Sequence, residues 1–316
     1  MIDLLVIHEH PEWQKPLFAA LERRGVSYAA FDLKRAAFSV DALPEARLYF
    51  NQASPSAYVR GNTRAVPLGM ALIRALEARG KRVLNGSKPF WFELSKTTQA
   101  SVLLELGLKT PKTLVFNDVE ALRKVSDGFG FPALLKPEQG GSGARMFLVE
   151  SLDEVDRLLA MQPDLWTPDH LLLLQELVDY DRDHGIVRME LIGGELLYAM
   201  RVVSHGRFNL CPSETCNPET GEGECHVELT PAPPVEFHAY PEVAKDTVEA
   251  ARRIARAGGL DVCGIECIET ANGPVFYDIN ANSNLRLPVA MAYGGFDPFE
   301  RVVDFLIGQL AELGRA

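Results

Sequence analysis

The segment 264–282, GIECIETANGPVFYDINAN, holds two strand-like runs joined by the turn Ala271-Asn272-Gly273. Strand alternation places Asp278 and Asn280 on one face of the second run, and the turn can bring Glu266 beside them. Three oxygen-bearing side chains, with no His or Cys on that face, suit Mg²⁺ that bridges nucleotide phosphates. The alternative is a polar strand surface facing solvent, but the apolar setting of FYDINAN favours the metal site.

A glycine-rich turn lies upstream, in the segment 136–144, KPEQGGSGA, between two strand-like runs. Glycine lets backbone N–H groups approach phosphate oxygens closely, and Lys136 at the edge of the turn adds positive charge. The turn is not a Walker loop, which needs G-x-x-x-x-G-K-[ST] at the start of a helix. The alternative is a purely structural hairpin turn; the lysine favours phosphate binding. The candidate phosphate-binding residues are Lys136, Gly140, Gly141, Ser142 and Gly143.

A third feature is the end of the apolar strand LLLLQELV, where the residues are Gln175, Glu176, Leu177 and Val178. A bend at this point exposes backbone N–H and C=O groups that can bind an adenine edge. Asp181 or Asp183 lies close enough along the chain to contact a ribose. This signal is weak by itself.

Strand-like and helical segments alternate along the first 94 residues, which predicts an open parallel sheet. The helix SKTTQASVLLELGL, with Ser95 as its cap, opens a second segment, and a hairpin that turns at Gly193-Gly194 lies in a third. The predicted fold class is α/β combined with α+β, in three domains: 1–94, 95–180 and 181–316. Residues 204–234 show no clear period and predict a long loop.

Composition excludes some classes of partner. The net charge of −11 disfavours binding to a nucleic-acid backbone, which needs clustered Lys and Arg. No apolar run approaches the roughly 20 residues of a membrane span. The first residues carry neither a basic leader nor a cleavage site, so a cytoplasmic protein is expected. The five cysteines are then expected to be free thiols.

Taken in order, these motifs resemble the ATP-grasp superfamily, in the RimK-like branch typified by the enzyme that adds glutamates to ribosomal protein S6. The resemblance covers about residues 95–290 and implies an ATP-grasp fold behind an N-terminal parallel-sheet domain. It implies that Lys96 and Lys136 hold the ATP phosphates, under the loop 140–143. Glu266, Asp278 and Asn280 would hold one or two Mg²⁺ ions, with Mn²⁺ as a possible substitute. The cations expected to act on the carboxylate or the transferred phosphoryl group are Arg188 and Arg201.

Several positions depart from the family pattern. Ile186 replaces the usual Asp of the hairpin, which moves the expected ribose contact to Asp183 or Asp181, and Glu266 stands where Asp is more common. The loop 204–226 differs most, and its Arg207 and Asn209 are candidate substrate ligands. Its Cys211, Cys216 and Cys225 could bind zinc, although their spacing lacks the tight C-x2-C of zinc knuckles. Further candidate substrate-binding residues are Arg60, Asn284 and Arg286.

The resemblance implies an ATP-dependent ligase that joins a carboxylate to an amine through an acyl-phosphate. The expected substrates are a small molecule or peptide with a carboxylate, and an amine acceptor. Two alternatives stay open: a non-catalytic ATP-binding regulator, and a kinase that phosphorylates a small acceptor. The retained lysines and metal-ligand candidates favour the ligase, and the apolar face of the last helix leaves room for a homo-oligomer.

Overall fold

A computed structural model describes residues 2–141, 143–205 and 235–314, which form three sheets with helices packed on them. The first sheet is parallel, in the order β2-β1-β3-β4, as the strand–helix alternation predicts. Its strands are β1 (Ile2–His8), β2 (Tyr28–Asp32), β3 (Ala46–Gln52) and β4 (Val83–Leu84).

The other two sheets are antiparallel and supply most of the pocket described below. The second has the order β5-β8-β6-β7, with β5 (Thr113–Phe116), β6 (Ala133–Pro137), β7 (Phe147–Val149) and β8 (Leu172–Glu176). The third has the order β11-β10-β9-β12-β13, with β9 (Ile186–Ile192), β10 (Glu195–Val203), β11 (Glu236–Ala239), β12 (Val262–Thr270) and β13 (Gly273–Asn280).

The helices cover the sheets and tie them together. They are α1 (Pro11–Arg23), α2 (Ala65–Ala78), α3 (Ser87–Leu94), α4 (Lys96–Glu105), α5 (Val119–Val125), α6 (Leu152–Met161), α7 (Lys245–Gly258), α8 (Leu287–Gly294) and α9 (Pro298–Leu313). The predicted cap of α4 is confirmed, because the Ser95 side chain accepts a hydrogen bond from the Thr98 N–H. No helix among the described residues has the length and apolar character needed to cross a membrane.

Each sheet falls within one of the three predicted segments, but two helices pack across the proposed boundaries. On α4, Leu103 is buried in the same core as Ile265 and Phe276 of the third sheet. On α9, Val303 packs with Leu4 of the first sheet. The domain boundaries 1–94, 95–180 and 181–316 therefore stay a prediction: each encloses one sheet, but the hydrophobic cores extend across them.

Register in the third sheet brings the candidate metal ligands together. Glu266 pairs with Asp278 across β12 and β13, and Glu266 pairs with Arg188 on its other side, across β12 and β9. The next pair is Cys267 with Phe276, so Tyr277 is an extra residue on β13 and forms a β-bulge. This bulge changes the direction of one side chain beside the paired carboxylates.

Candidate active site

A pocket between the three sheets collects most of the predicted functional residues. Trp13 on α1 and the segment around Ser56 after β3 line one part, the glycine-rich turn after β6 lines another, and the carboxylates lie on the third sheet. The predicted residues that line it are Lys96, Lys136, Gly140, Gly141, Gly143, Gln175, Glu176, Leu177, Val178, Arg188, Glu266, Asp278, Asn280 and Asn284. Residues that are far apart in the sequence thus share one cavity.

Two lysines give one part of this pocket a positive charge. Lys136 is buried, its Nζ donates a 2.7 Å hydrogen bond to the side-chain oxygen of Gln175, and it has no ion-pair partner within the described ranges. Burial, with the charge of Lys96 added, lowers the pKa of Lys136 to about 8. The Lys96 ammonium contacts Asp278. A buried ammonium without a carboxylate partner is costly, so Lys136 favours an anionic ligand here.

The glycine-rich turn lies against the N-terminal segment, at Ser56. A Cβ on Gly141 would stand 2.5 Å from the Cβ of Ser56 and 2.8 Å from its Cα, so only glycine allows this approach. Gly143 has a φ of +66°, a left-handed conformation that glycine adopts without strain. The Gln139 side chain also donates to the Pro55 carbonyl, at 3.3 Å. These contacts hold the turn in the pocket lining; Ser142 lies outside the described residues.

Another part of the pocket lining is apolar. Leu134, Leu177, Val178, Ile186 and Ile268 all line it, next to the end of β8. The backbone N–H of Glu176 donates to the Lys112 carbonyl, and the Glu176 side chain accepts from the Lys112 N–H, which fixes the bend. An apolar slot beside a positively charged region suits a purine nucleotide, whose base is flat and whose phosphates are anionic.

A buried network of charges surrounds Arg188. Its Nε donates to Glu190 and its Nη1 donates to Glu266, both at 2.7 Å, and the hydroxyl of Ser283 donates to Glu190. The Tyr277 hydroxyl on the bulge donates to the second Glu266 oxygen, at 2.7 Å. The guanidinium and both carboxylates are thus held on several sides with little exposure to solvent.

The two paired carboxyl groups have opposite pKa shifts. Burial raises the pKa of Glu266, and the charge of Asp278 raises it further. Burial alone would also raise the pKa of Asp278, but the Lys96 ammonium outweighs it and lowers that pKa below its ordinary value. Asp278 is therefore held charged by Lys96, whereas the charged form of Glu266 is disfavoured, and a cation bound between the two acids would favour the charged form of both.

The donor set fits magnesium that is shared with phosphate groups. Within residues 2–141, 143–205 and 235–314, no three His, Cys, Asp or Glu side chains gather into a metal site of their own. Magnesium commonly uses only one or two protein carboxylates and takes its other ligands from substrate phosphates and water. Two carboxylates and one amide oxygen, from Glu266, Asp278 and Asn280, meet that requirement beside the two lysines.

Some predicted residues lie elsewhere. Arg201 is outside the pocket lining, with its Nη2 2.7 Å from Glu269 and its guanidinium 4.0 Å over the Tyr240 ring. Arg60 pairs with buried Glu9, although it also donates to Ser56 of the pocket wall. The predicted residues Asp183 and Arg286 do not line the pocket either. Arg207, Asn209, Cys211, Cys216 and Cys225 fall outside the described residues.

Sequence reasoning missed three charged or polar groups of the site. Glu190 could have been found, because it stands two residues after Arg188 on one strand and must share its face. Tyr277 gave no signal, because simple alternation places it on the face opposite to Asp278. Glu93 lies in the last turn of α3, a helix that the sequence did not predict.

The chain is similar to several known proteins. Residues 94–217 match the family model of the RimK-like ATP-grasp domain. A "Probable alpha-L-glutamate ligase" of Haemophilus influenzae (strain PittEE) is 21% identical over 248 residues, which are 78% of this chain and 74% of that protein. A "Probable alpha-L-glutamate ligase 2" of Pseudoalteromonas atlantica is 22% identical and covers 92% of this chain and 94% of its own length.

Solved structures agree with the fold. The ATP-grasp ligase PsnB in complex with a minimal precursor has a TM-score of 0.64 at 20% identity, covering 96% of this chain and 98% of that one. The D-alanine–D-alanine ligase of Bacillus anthracis in complex with ATP has a TM-score of 0.69 at 12% identity, covering 99% and 98%. The expected ATP-grasp fold is confirmed, and the match to the RimK-like domain, together with the glutamate ligase relatives, indicates an ATP-dependent ligase that forms carbon–nitrogen bonds.

Proposed function

We propose that this ligase activates the carboxylate of an amino acid or peptide and joins it to an amine, with L-glutamate as the first substrate to test. The observation that carries the proposal is the juxtaposition of Lys96 and Lys136 with Glu266 and Asp278 in one pocket. The glutamate ligase names of the relatives supply the choice of first substrate. Because the reaction consumes ATP, we place it in the cytoplasm.

The residues divide the work along the pocket. The apolar slot around Leu177 and Val178 would take the adenine, and Lys96 and Lys136 would bind the phosphates beneath the loop 140–143. Glu266, Asp278 and Asn280 would hold Mg²⁺, which supplies charge neutralisation on the phosphate oxygens when bound. Phosphoryl transfer depends chiefly on such positioning and charge neutralisation, which these side chains provide.

The chemistry follows from the weakness of a carboxylate as an electrophile. A substrate carboxylate oxygen forms a bond to the γ-phosphorus of ATP, and ADP leaves with the bridging oxygen. The amine nitrogen then bonds to the acyl carbon, and phosphate leaves. Among the proposed substrate ligands, Asn284 lines the pocket. The other proposed contacts to the substrate come from Arg60, Arg286, Arg207 and Asn209.

The test supplies ATP and Mg²⁺ with L-glutamate, and then with a pool of amino acids and short peptides. Phosphate release and product mass are followed together. We expect one amide bond per ADP, and a loss of at least about a hundredfold in Asp278→Asn, because the isosteric amide removes a charge from the site. The matched control is Asp246→Asn, which changes an exposed residue on α7.

The outcomes separate the alternatives. Formation of a phosphorylated product in the absence of any amine would make the protein a kinase. ATP binding without turnover above that of Asp278→Asn, whatever the acceptor, would make it a regulator. An amide product that Asp278→Asn loses and Asp246→Asn retains establishes the proposed reaction.

A further inference from the structure

Glu93 is a buried carboxylate in the pocket that ATP and magnesium binding do not use. Its side chain is 3% exposed, at the last turn of α3, and it lines the same cavity as Lys96 and Asp278. The Oε2 atom accepts a hydrogen bond from the Asn282 N–H at 3.2 Å. Within the described residues the Oε1 atom has no hydrogen-bond partner, and this atom keeps some exposure to solvent.

A carboxyl group in this position needs a ligand. Burying an acid with half of its hydrogen-bonding capacity unused is unfavourable, unless the open oxygen serves a substrate. The contact to Asn282 satisfies one carboxyl oxygen and leaves the other available to a ligand in the cavity that Glu93 lines. The hydrogen bond links the end of α3 to the segment that follows β13. Glu93 therefore lies in the same pocket as the carboxylates of the third sheet.

Charges on the neighbouring elements set its protonation. Burial raises the pKa of Glu93 to about 8; Lys96 on α4 and Arg188 on β9 oppose this rise, while Asp278 on β13 adds to it. A carboxyl group poised near neutral pH can accept a proton in one step and return it to solvent in the next.

The ligase reaction contains one proton transfer that no residue discussed above performs. A protonated amine loses one proton to solvent before it can attack, and its nitrogen must lose a second proton in order to end as an amide. We infer that Glu93 binds the amine acceptor and takes the proton that its nitrogen gives up during attack on the acyl-phosphate. The N–C bond forms, the C–O bond to phosphate breaks with its electron pair leaving on phosphate, and the proton moves to Oε1. This inference rests on the proposed function.

The test compares two nucleophiles in Glu93→Gln. The amide keeps an oxygen for the Asn282 N–H but cannot take a proton. Hydroxylamine is largely unprotonated at neutral pH, so it traps an acyl-phosphate as a hydroxamate without needing a base. We expect amide formation from the substrate pool to fall about a hundredfold or more, while hydroxamate formation changes by less than about threefold, as for loss of a general base.

A control and a pH profile complete the design. Glu77→Gln removes a carboxylate that binds the N-terminal end of the same helix, at Ser87, outside the pocket lining, and should leave both products unchanged. In the wild-type protein the rate of amide formation should rise as the pH increases through about 8. This rise should be absent in Glu93→Gln.

Each result has one meaning. If Glu93→Gln loses both products equally, or neither, Glu93 is not the base and the inference fails while the ligase function stands. If the wild-type protein forms neither amide nor hydroxamate, the proposed function fails and the inference with it. Selective loss of the amide product, with hydroxamate retained, supports the assignment.

Discussion

Arg188 and Arg201 lie on paired strands of the third sheet, yet they occupy opposite faces. Arg188 pairs across the sheet with Met200, and Arg201 pairs with Val187, so one residue of offset separates their directions. The Arg188 side chain is 5% exposed between Glu190 and Glu266, whereas that of Arg201 is 21% exposed beside Glu269. The same kind of ion pair is thus enclosed on the pocket face and partly hydrated on the other.

This difference in hydration decides what each ion pair contributes. Charges enclosed in protein interact strongly, but removal of one partner leaves the other buried and uncompensated. A partly exposed pair is screened by water and contributes about 0–1 kcal/mol. Stability therefore depends strongly on every charged partner being present on the pocket face of the sheet, and only weakly on the opposite face.

The largest expected effect comes from breaking the enclosed network. Arg188→Met leaves Glu190 and Glu266 without their cation, and should lower the free energy of unfolding by about 3–5 kcal/mol. Urea titration of the full chain measures this change. Arg24→Met, which removes surface pairs to Glu300 and Asp304, is the matched control and should lower the free energy of unfolding far less, because water screens these pairs. Equal losses in the two variants would show that the network is not enclosed.

A smaller effect should follow from displacing Arg188 without removing it. In Gly264→Ala the new Cβ would stand 2.3 Å from Nη2 of Arg188 and 2.7 Å from its Cζ, so the guanidinium must move. We expect a loss of about 1–3 kcal/mol in the free energy of unfolding. Ligase turnover should fall with it, because Arg188 shifts away from Glu266.

Gly308→Ala is the control for this substitution. Nothing lies within 4 Å of a Cβ at position 308 in α9, and alanine should stabilise that helix by up to about 1 kcal/mol. If Gly264→Ala behaves in the same way as Gly308→Ala, the close packing of Arg188 on β12 is not important.

The sequence could predict one face of this sheet better than the other. Alternation and the turn at Asn272 were enough to place Glu266 beside Asp278, and their pairing in the structure confirms it. The same logic could not place Arg201, because a shift of one residue in register moves a side chain to the other face. Tyr277 depends on a bulge, which alternation cannot represent.

Glu93 could not be predicted from the sequence, because its burial depends on long-range packing. Glu93 is buried because the end of α3 meets Asn282, which is far away in the sequence. Many of the strands and helices, although not α3, were predictable for the opposite reason, since Ser95, Gly193 and the period of each segment act locally.

The smallest effect is expected for Arg201, which the family resemblance marks as catalytic. Arg201→Met removes the contacts to Glu269 and Tyr240 on the face away from the pocket, so the free energy of unfolding should fall by only about 1 kcal/mol. Turnover should change little, because no pocket-lining residue loses a partner. Steady-state kinetics with varied ATP and amine measure it. A hundredfold loss of turnover with unchanged stability would place Arg201 in the reaction, and the two faces of the sheet would then act together.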